Sequence, residues 1–160
     1  EGDRLEFLGF PEFPEFLEFP EFLGNRTRGI RVGAHLILGL PQESKDAILA
    51  EAQALSALPL TTLKLHQLQL IKGTRMAAEY QANPQDFHLF TPGEYIDLVI
   101  DFLERLRPDL ILERFVSQSP SSLLALPGWG LKNHEFTARL RHRLQERGAY
   151  QGRLYIPPSY

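Results

Sequence analysis

The chain has no cysteine among its 160 residues. That excludes a disulfide framework and any thiolate-held metal or cluster within these residues. It fits a reducing compartment, and the expected location is cytoplasmic. Charge of one sign is also scarce. The 17 Lys and Arg stand against 20 Asp and Glu, a net charge of −3, which argues neither for nucleic acid nor for a membrane surface. No run of about 18 apolar residues occurs, so no membrane-spanning helix is expected. No basic stretch followed by an apolar core opens the chain, so export is not signalled. A glycine-flanked serine elbow and a Gly-Lys-Ser/Thr phosphate loop are both absent, which removes two common catalytic frames.

What is present is ordinary for one globular domain: 43% hydrophobic and 23% charged residues, with enough chain to bury a core. The beginning is different. Phe10-Pro11-Glu12-Phe13-Pro14-Glu15-Phe16-Leu17-Glu18-Phe19-Pro20-Glu21-Phe22 is a near-repeat of Pro-Glu-Phe units, whose prolines forbid a regular helix and remove sheet donors. Residues 1–24 carry seven acidic side chains against one Arg, whereas the chain from Gly128 onward is basic. The opening segment reads as an extended Pro-rich arm, an expression scar or a stretch of uncertain assignment, and no function is built on it.

From Gly29 the pattern becomes regular. Ile30 to Leu38 is apolar and short, and glycines bound it, which predicts a strand. Ser44 to Leu58 carries Ile48, Leu49, Ala52 and Leu55 at helical spacing, with Pro59 beyond the stop. Leu63 to Leu70 reads as a second strand. Thr91-Pro92-Gly93-Glu94 is a helix start with an N-cap threonine, proline at the first helical position and a capping-box glutamate. The helix it opens sends Ile96, Val99, Ile100 and Leu103 toward a core and closes before Pro108. Leu110 to Val116 reads as a third strand. A last helix runs from Asn133 to Arg147 with Gly148 as C-cap. Strand alternating with helix predicts an α/β fold of parallel strands and crossover helices. Three strands leave edges exposed, so missing or partner strands are expected to complete the sheet.

Several residues could carry chemistry. Gly39 at a strand's carboxyl end lets a ligand approach the backbone, where parallel α/β folds bind ligands; a plain turn capped by Glu43 or Ser44 explains it as well. His66-Gln67-Leu68-Gln69 puts polar groups into an apolar strand. Alternation sends Lys64 and His66 to one face and Gln67 and Gln69 to the other, so one face lines a cavity or meets solvent. His35 could approach His66 across the sheet, but no carboxylate falls at a diagnostic metal spacing. Arg114, beside Glu113, is either half of an ion pair or a two-pronged donor to an anion. Arg139, Arg141, Arg143 and Arg147 make the last helix basic. A solvated amphipathic face and an RNA-phosphate surface both account for it. Trp129, between glycines, reads as a packing anchor.

Taken in order, the motifs resemble the YhcC-type radical SAM proteins. The matching elements are Arg28-Gly29-Ile30-Arg31-Val32-Gly33, His35-Leu36-Ile37-Leu38-Gly39-Leu40-Pro41 with Glu43, and Leu65-His66-Gln67-Leu68-Gln69 with Lys72-Gly73-Thr74. Further on come Asp101-Phe102-Leu103-Glu104-Arg105-Leu106, Arg114, Trp129 with Lys132-Asn133, and Gln151-Gly152. More distant likenesses are the oxygen-independent coproporphyrinogen oxidases and the Elongator catalytic subunit.

The resemblance implies a C-terminal portion of a radical SAM partial (β/α)6 barrel over residues 28–116, then a C-terminal helical extension over 117–160, with 1–27 atypical. It implies S-adenosylmethionine and a 4Fe–4S cluster in the full-length parent. There the cluster reduces S-adenosylmethionine to give a radical that takes a hydrogen atom from the substrate. By the same resemblance, Ile37, Gly39, Gln67, Gln69, Ile71 and Lys72 would border the cofactor, and His35, His66 and Arg114 the substrate. No metal ligand is expected in this chain, because the cluster needs closely spaced cysteines that it lacks. Its implied partner is the missing N-terminal half of the barrel or a completing subunit. Alone, the chain is expected to be inactive. Gln42 departs from the family, which usually has glycine there. The competing readings are an α/β module that binds RNA or protein without catalysis, and a stand-alone fold completed by dimerisation.

Overall fold

Alternating apolar segments too short for helices and amphipathic segments too long for strands sort this chain into β/α units. The structure, a computed structural model, describes residues 29–157. The Pro-Glu-Phe segment and Arg28 therefore lie outside the described residues. The elements are β1 (Gly33–Leu38), α1 (Lys45–Ala57), β2 (Thr62–Gln67), α2 (Arg75–Ala82), α3 (Pro92–Arg105), β3 (Ile111–Arg114) and α4 (Asn133–Arg147), with short 3₁₀ turns at Pro84–Asp86 and Ser121–Leu123.

The three strands form one sheet in the order β1-β2-β3, and both pairings are parallel. The strands are shorter than the apolar runs that announced them. Ile30–Val32, Leu68–Leu70 and Phe115–Val116 leave the ladder and become connections. The β1–β2 register runs from Gly33 opposite Thr62 to Leu38 opposite Gln67. In β2–β3, Leu63 faces Leu112 but Lys64 faces Arg114, so one extra residue bulges from β3. A bulge re-aims side chains at a sheet margin, and here Glu113 and Arg114 are both exposed.

The helices follow their sequence signals closely. Ser44 caps α1 by accepting from Ala47 N at 3.1 Å. The Thr91–Glu94 capping box of α3 is complete, with Thr91 N donating to Glu94 Oε2 at 2.8 Å and Glu94 N to Thr91 Oγ1 at 3.3 Å. α4 ends on Gly148 at φ 58°, in the left-handed region that glycine enters without steric cost. The helix not foreseen is α2, capped by Thr74. It buries only Ala77, so it has almost no apolar stripe to announce it.

The core lies on one face of the sheet. Leu63 and Leu65 of β2 and Leu38 of β1 are fully buried with Ile48 and Ala52 of α1 and Val99, Ile100 and Phe102 of α3. α4 then packs on α3 through Phe136 and Leu140. Two of its four arginines are committed to that contact, while Arg139 and Arg141 are exposed. Arg143 Nε lies 2.9 Å from Asp97 and Arg147 Nη2 2.5 Å from Asp101.

Beyond α4 the chain returns to the end of α3. Gly152 N donates to Leu103 O at 3.0 Å and Leu154 N to Glu104 O at 2.6 Å, satisfying carbonyls that a helix end leaves without partners. The Gln151 amide donates to Arg107 O at 2.8 Å and Leu110 O at 2.9 Å. Arg153 pairs with the buried Glu104. Among the described residues no helix is long and apolar enough to cross a membrane.

Candidate ligand site at the carboxyl ends of the strands

The period-2 alternation of β1 and β2 gives the sheet two unlike faces. Leu63, Leu65 and Gln67 point into the core side and are buried; Lys64 and His66 between them are half-buried, and His35 is exposed. The polar face carries a connected set of side chains. His66 Nε2 lies 3.3 Å from His35 Nδ1, and His66 Nδ1 lies 2.6 Å from Ser117 Oγ. Lys64 Nζ pairs with Glu113 at 3.1 Å, which leaves Arg114 as a cation that pairs with no carboxylate among the described residues. The His66 imidazole is held below its ordinary value by burial first, then by the positive fields of His35, Arg114 and Lys64. It is therefore a neutral ring that accepts from or donates to its two neighbours. Among the described residues no group of three His, Cys, Asp or Glu is placed to hold a metal ion.

The structure divides the residues nominated from sequence into three places. His35, Ile37, His66 and Arg114 fall together on or beside the polar face. Gly39 closes β1 at φ +89°, and a Cβ there would sit 2.8 Å from the Phe90 ring. Its N–H is already taken by Glu43 Oε2 at 2.8 Å, which also accepts from Leu40 N at 2.9 Å. Glu43 thus works on the turn's backbone rather than as a helix cap, and its buried neighbour Glu51 was not picked out from sequence at all. Gln42 stands in the same turn at φ 61°, the reason a glycine suits that position.

Gln67, Gln69, Ile71 and Lys72 belong to a third place on the core side of β2. The Gln67 amide is spent on one residue, with Oε1 accepting from Ser117 N at 2.6 Å and Nε2 donating to Ser117 O at 3.1 Å. Gln69, past the strand end, accepts from Ser119 Oγ at 2.8 Å. Ile71 bridges Leu124 in antiparallel fashion, and Lys72 Nζ donates to Ser122 O at 3.0 Å. These contacts tie the end of β2 to the 117–125 segment. Between that segment and Trp129 lie two adjoining cavities of about 160 and 280 Å³, both bordered by Gln67, Gln69, Leu124, Gly128 and Trp129. Trp129 packs on Tyr95 and Phe136 with centroids 5.3 and 6.2 Å away, and its indole donates to Phe90 O at 3.1 Å. It anchors the cavity wall.

A parallel α/β unit with one polar face and concavities at the strands' carboxyl ends is a ligand-binding architecture. The chain belongs to the Radical_SAM C-terminal domain family, whose model matches residues 60–146. It is 35% identical over 130 residues to the protein YtqA of Bacillus subtilis (strain 168), covering 81% of this chain and 40% of that one. It is 34% identical over 130 residues to the protein MJ0486 of Methanocaldococcus jannaschii, with the same shares of 81% and 40%. With the protein YhcC of Escherichia coli (strain K12) the identity is 29% over 143 residues, 84% of this chain and 44% of YhcC. The chain thus spans less than half the length of these relatives. In fold it is similar to the archaeal Methanocaldococcus infernus Elp3 carrying an N-terminal deletion, at TM-score 0.65 and 14% identity, over 79% of this chain and 29% of that one.

Proposed function

We propose that this chain is the carboxy-terminal part of a radical SAM enzyme and supplies one wall of its S-adenosylmethionine and substrate pocket, as part of a partial (β/α)6 barrel. The observation that carries the reading is the two-sided sheet. Parallel sheets are ordinarily covered on both faces, whereas here one face packs against α1 and α3 and the other presents His35, Lys64, His66, Glu113 and Arg114. A barrel lumen has that character on its inner wall.

The 4Fe–4S cluster does not fit this chain, which has no cysteine to hold it. It belongs to the part of the protein that precedes these residues in the family's order, working in the reducing cytoplasm. S-adenosylmethionine fits better. Arg114 offers a fork of donors to a carboxylate, His66 offers a neutral hydrogen-bonding edge, and Ile37 offers an apolar contact. When bound, that cofactor would supply hydrogen-atom abstraction. The residues of this chain bind and orient: Arg114 fixes an anionic group, Ser117 holds His66 in place, and Glu113 holds Lys64.

The test uses the full-length protein. Its upstream sequence should hold Cys-x3-Cys-x2-Cys, and the iron-reconstituted enzyme should cleave S-adenosylmethionine. Arg114→Gln should weaken the binding of S-adenosylmethionine or substrate about tenfold, as expected for losing one charge-assisted bidentate contact. A parent without the cysteine triplet, or wild-type protein that binds no S-adenosylmethionine, overturns the reading.

A further inference from the structure

The turn that ends β1 is held by one carboxyl group, and that group touches another. Glu43 Oε2 accepts from both Gly39 N and Leu40 N, at 2.8 and 2.9 Å. Glu51, two turns into α1, is 4% exposed. Its Oε2 is buried with no hydrogen-bond partner among the described residues, and its carboxyl lies in hydrogen-bonding contact with that of Glu43. Among the described residues no Lys, Arg or His pairs with either group. Other titratable residues near the turn are Asp86, whose carbonyl accepts from Gln42 N at 2.7 Å, and His88, whose imidazole acts on Glu94. Lys45, at the start of α1, is engaged by Asp101 at 2.6 Å.

Two ionised carboxylates in contact and out of water repel, so such a pair keeps one proton. The two backbone donors decide which partner is the anion, since both already point at Glu43. We propose that Glu43 and Glu51 share a single proton, Glu51 donating and Glu43 accepting, and that this pair is the positioning device that fixes the Gly39–Leu40 turn at the rim of the ligand pocket. The pocket's identity rests on the function proposed above; the pair itself does not. The turn also meets the cavity on the core side of β2. The Phe90 ring rests on Gly39, borders the smaller cavity, and its carbonyl holds the Trp129 indole. A turn that loosens moves that wall.

The consequence for pH has a definite sign. Burial and the charge of Glu43 push the Glu51 carboxyl up from 4.5 to about 8. Between those values the folded chain holds one proton that the unfolded chain has released. Stability from the pair is fully present below the unfolded value and is lost as pH rises through the folded one.

The test compares full-length wild type with Glu51→Gln, a permanently neutral donor, and Glu51→Leu, which has none. From about pH 5 to about pH 8, the folding equilibrium constant of wild type should fall up to tenfold per pH unit relative to Glu51→Gln. Hydrogen-exchange protection of the Gly39 and Leu40 amides should survive in Glu51→Gln and drop at least tenfold in Glu51→Leu. S-adenosylmethionine affinity should decline above about pH 8 in wild type and stay flat in Glu51→Gln. Equal pH slopes in wild type and Glu51→Gln, or lost amide protection in Glu51→Gln, overturn the shared proton. Wild type that binds no S-adenosylmethionine at any pH counts against the proposed function, and the slopes and the exchange rates still decide the pair.

Discussion

The imidazole of His66 lies over that of His35, with centroids 5.2 Å apart and planes 25° from parallel. One nitrogen of each ring faces the other at 3.3 Å, so at most one proton occupies that gap.

This arrangement makes His66 a poor base. Its folded value lies below the ordinary 6.5, chiefly through burial and then through His35, Arg114 and Lys64. The stability it contributes is present above the unfolded value and is lost as pH falls through the folded one. The His66 ring should show an NMR titration midpoint below 6.5. Arg114→Gln and Lys64→Gln should each move that midpoint upward. A midpoint indifferent to both substitutions would mean that Arg114 and Lys64 do not act on the ring.

Two neighbouring positions of the β1–α1 turn should respond with opposite signs. Gly39→Ala places a methyl group against the Phe90 ring at a φ of +89°, and should destabilise by about 1–3 kcal/mol. Gln42→Gly relieves a side-chain-bearing residue at φ 61° and should stabilise by up to about 1 kcal/mol, the steric relief being partly offset by chain entropy. Urea unfolding of both variants checks the pair of signs.

Gln67 is a structural clamp on Ser117 rather than a free polar group. Gln67→Leu keeps the volume but strands the Ser117 N–H and C=O, bonded at 2.6 and 3.1 Å in the native chain. A loss of about 1–3 kcal/mol is expected. Because Ser117 Oγ also contacts His66 at 2.6 Å, the His66 resonances should shift in the same variant. Unchanged stability would refute the clamp.

Phe136 joins α4 to the rest of the chain. It is fully buried and sits 5.6 Å from Tyr95 and 6.2 Å from Trp129. Phe136→Ala should cost about 3–5 kcal/mol and redshift the fluorescence of Trp129 as water reaches its wall. A cost below about 1 kcal/mol would show that α4 is not integral to the core.

Much of the architecture was legible because it rests on local chemistry. Thr91-Pro92-Gly93-Glu94 and Gly148 announce their helix ends by capping, and both occur as read. β2 ended early because Leu68 and Leu70 are apolar for a different purpose: they line the wall of a cavity. The helix Arg75–Ala82 escaped notice because almost none of it is buried. In the site, the approach of His35 to His66 followed from adjacent parallel strands. The division of Gln67 from His66 followed from alternation. That the Gln67 amide is consumed by Ser117, fifty positions away, depends on tertiary folding and leaves no local mark. The contact of Glu43 with Glu51 is hidden for a related reason. Glu43 was legible as a turn cap, but nothing local to Glu51 shows that α1 turns it inward.

The returning segment after α4 has a consequence for biosynthesis. The carbonyls of Leu103 and Glu104 and the backbone of Arg107 and Leu110 obtain their partners from Gln151, Gly152 and Leu154. A ribosome that has delivered the first six elements still withholds those partners inside its exit tunnel. These elements cannot close until residues 151–154 have left the exit tunnel. A chain truncated after Gly148 would therefore keep every helix and strand among the described residues, yet quality-control proteases should recognise it as unfinished.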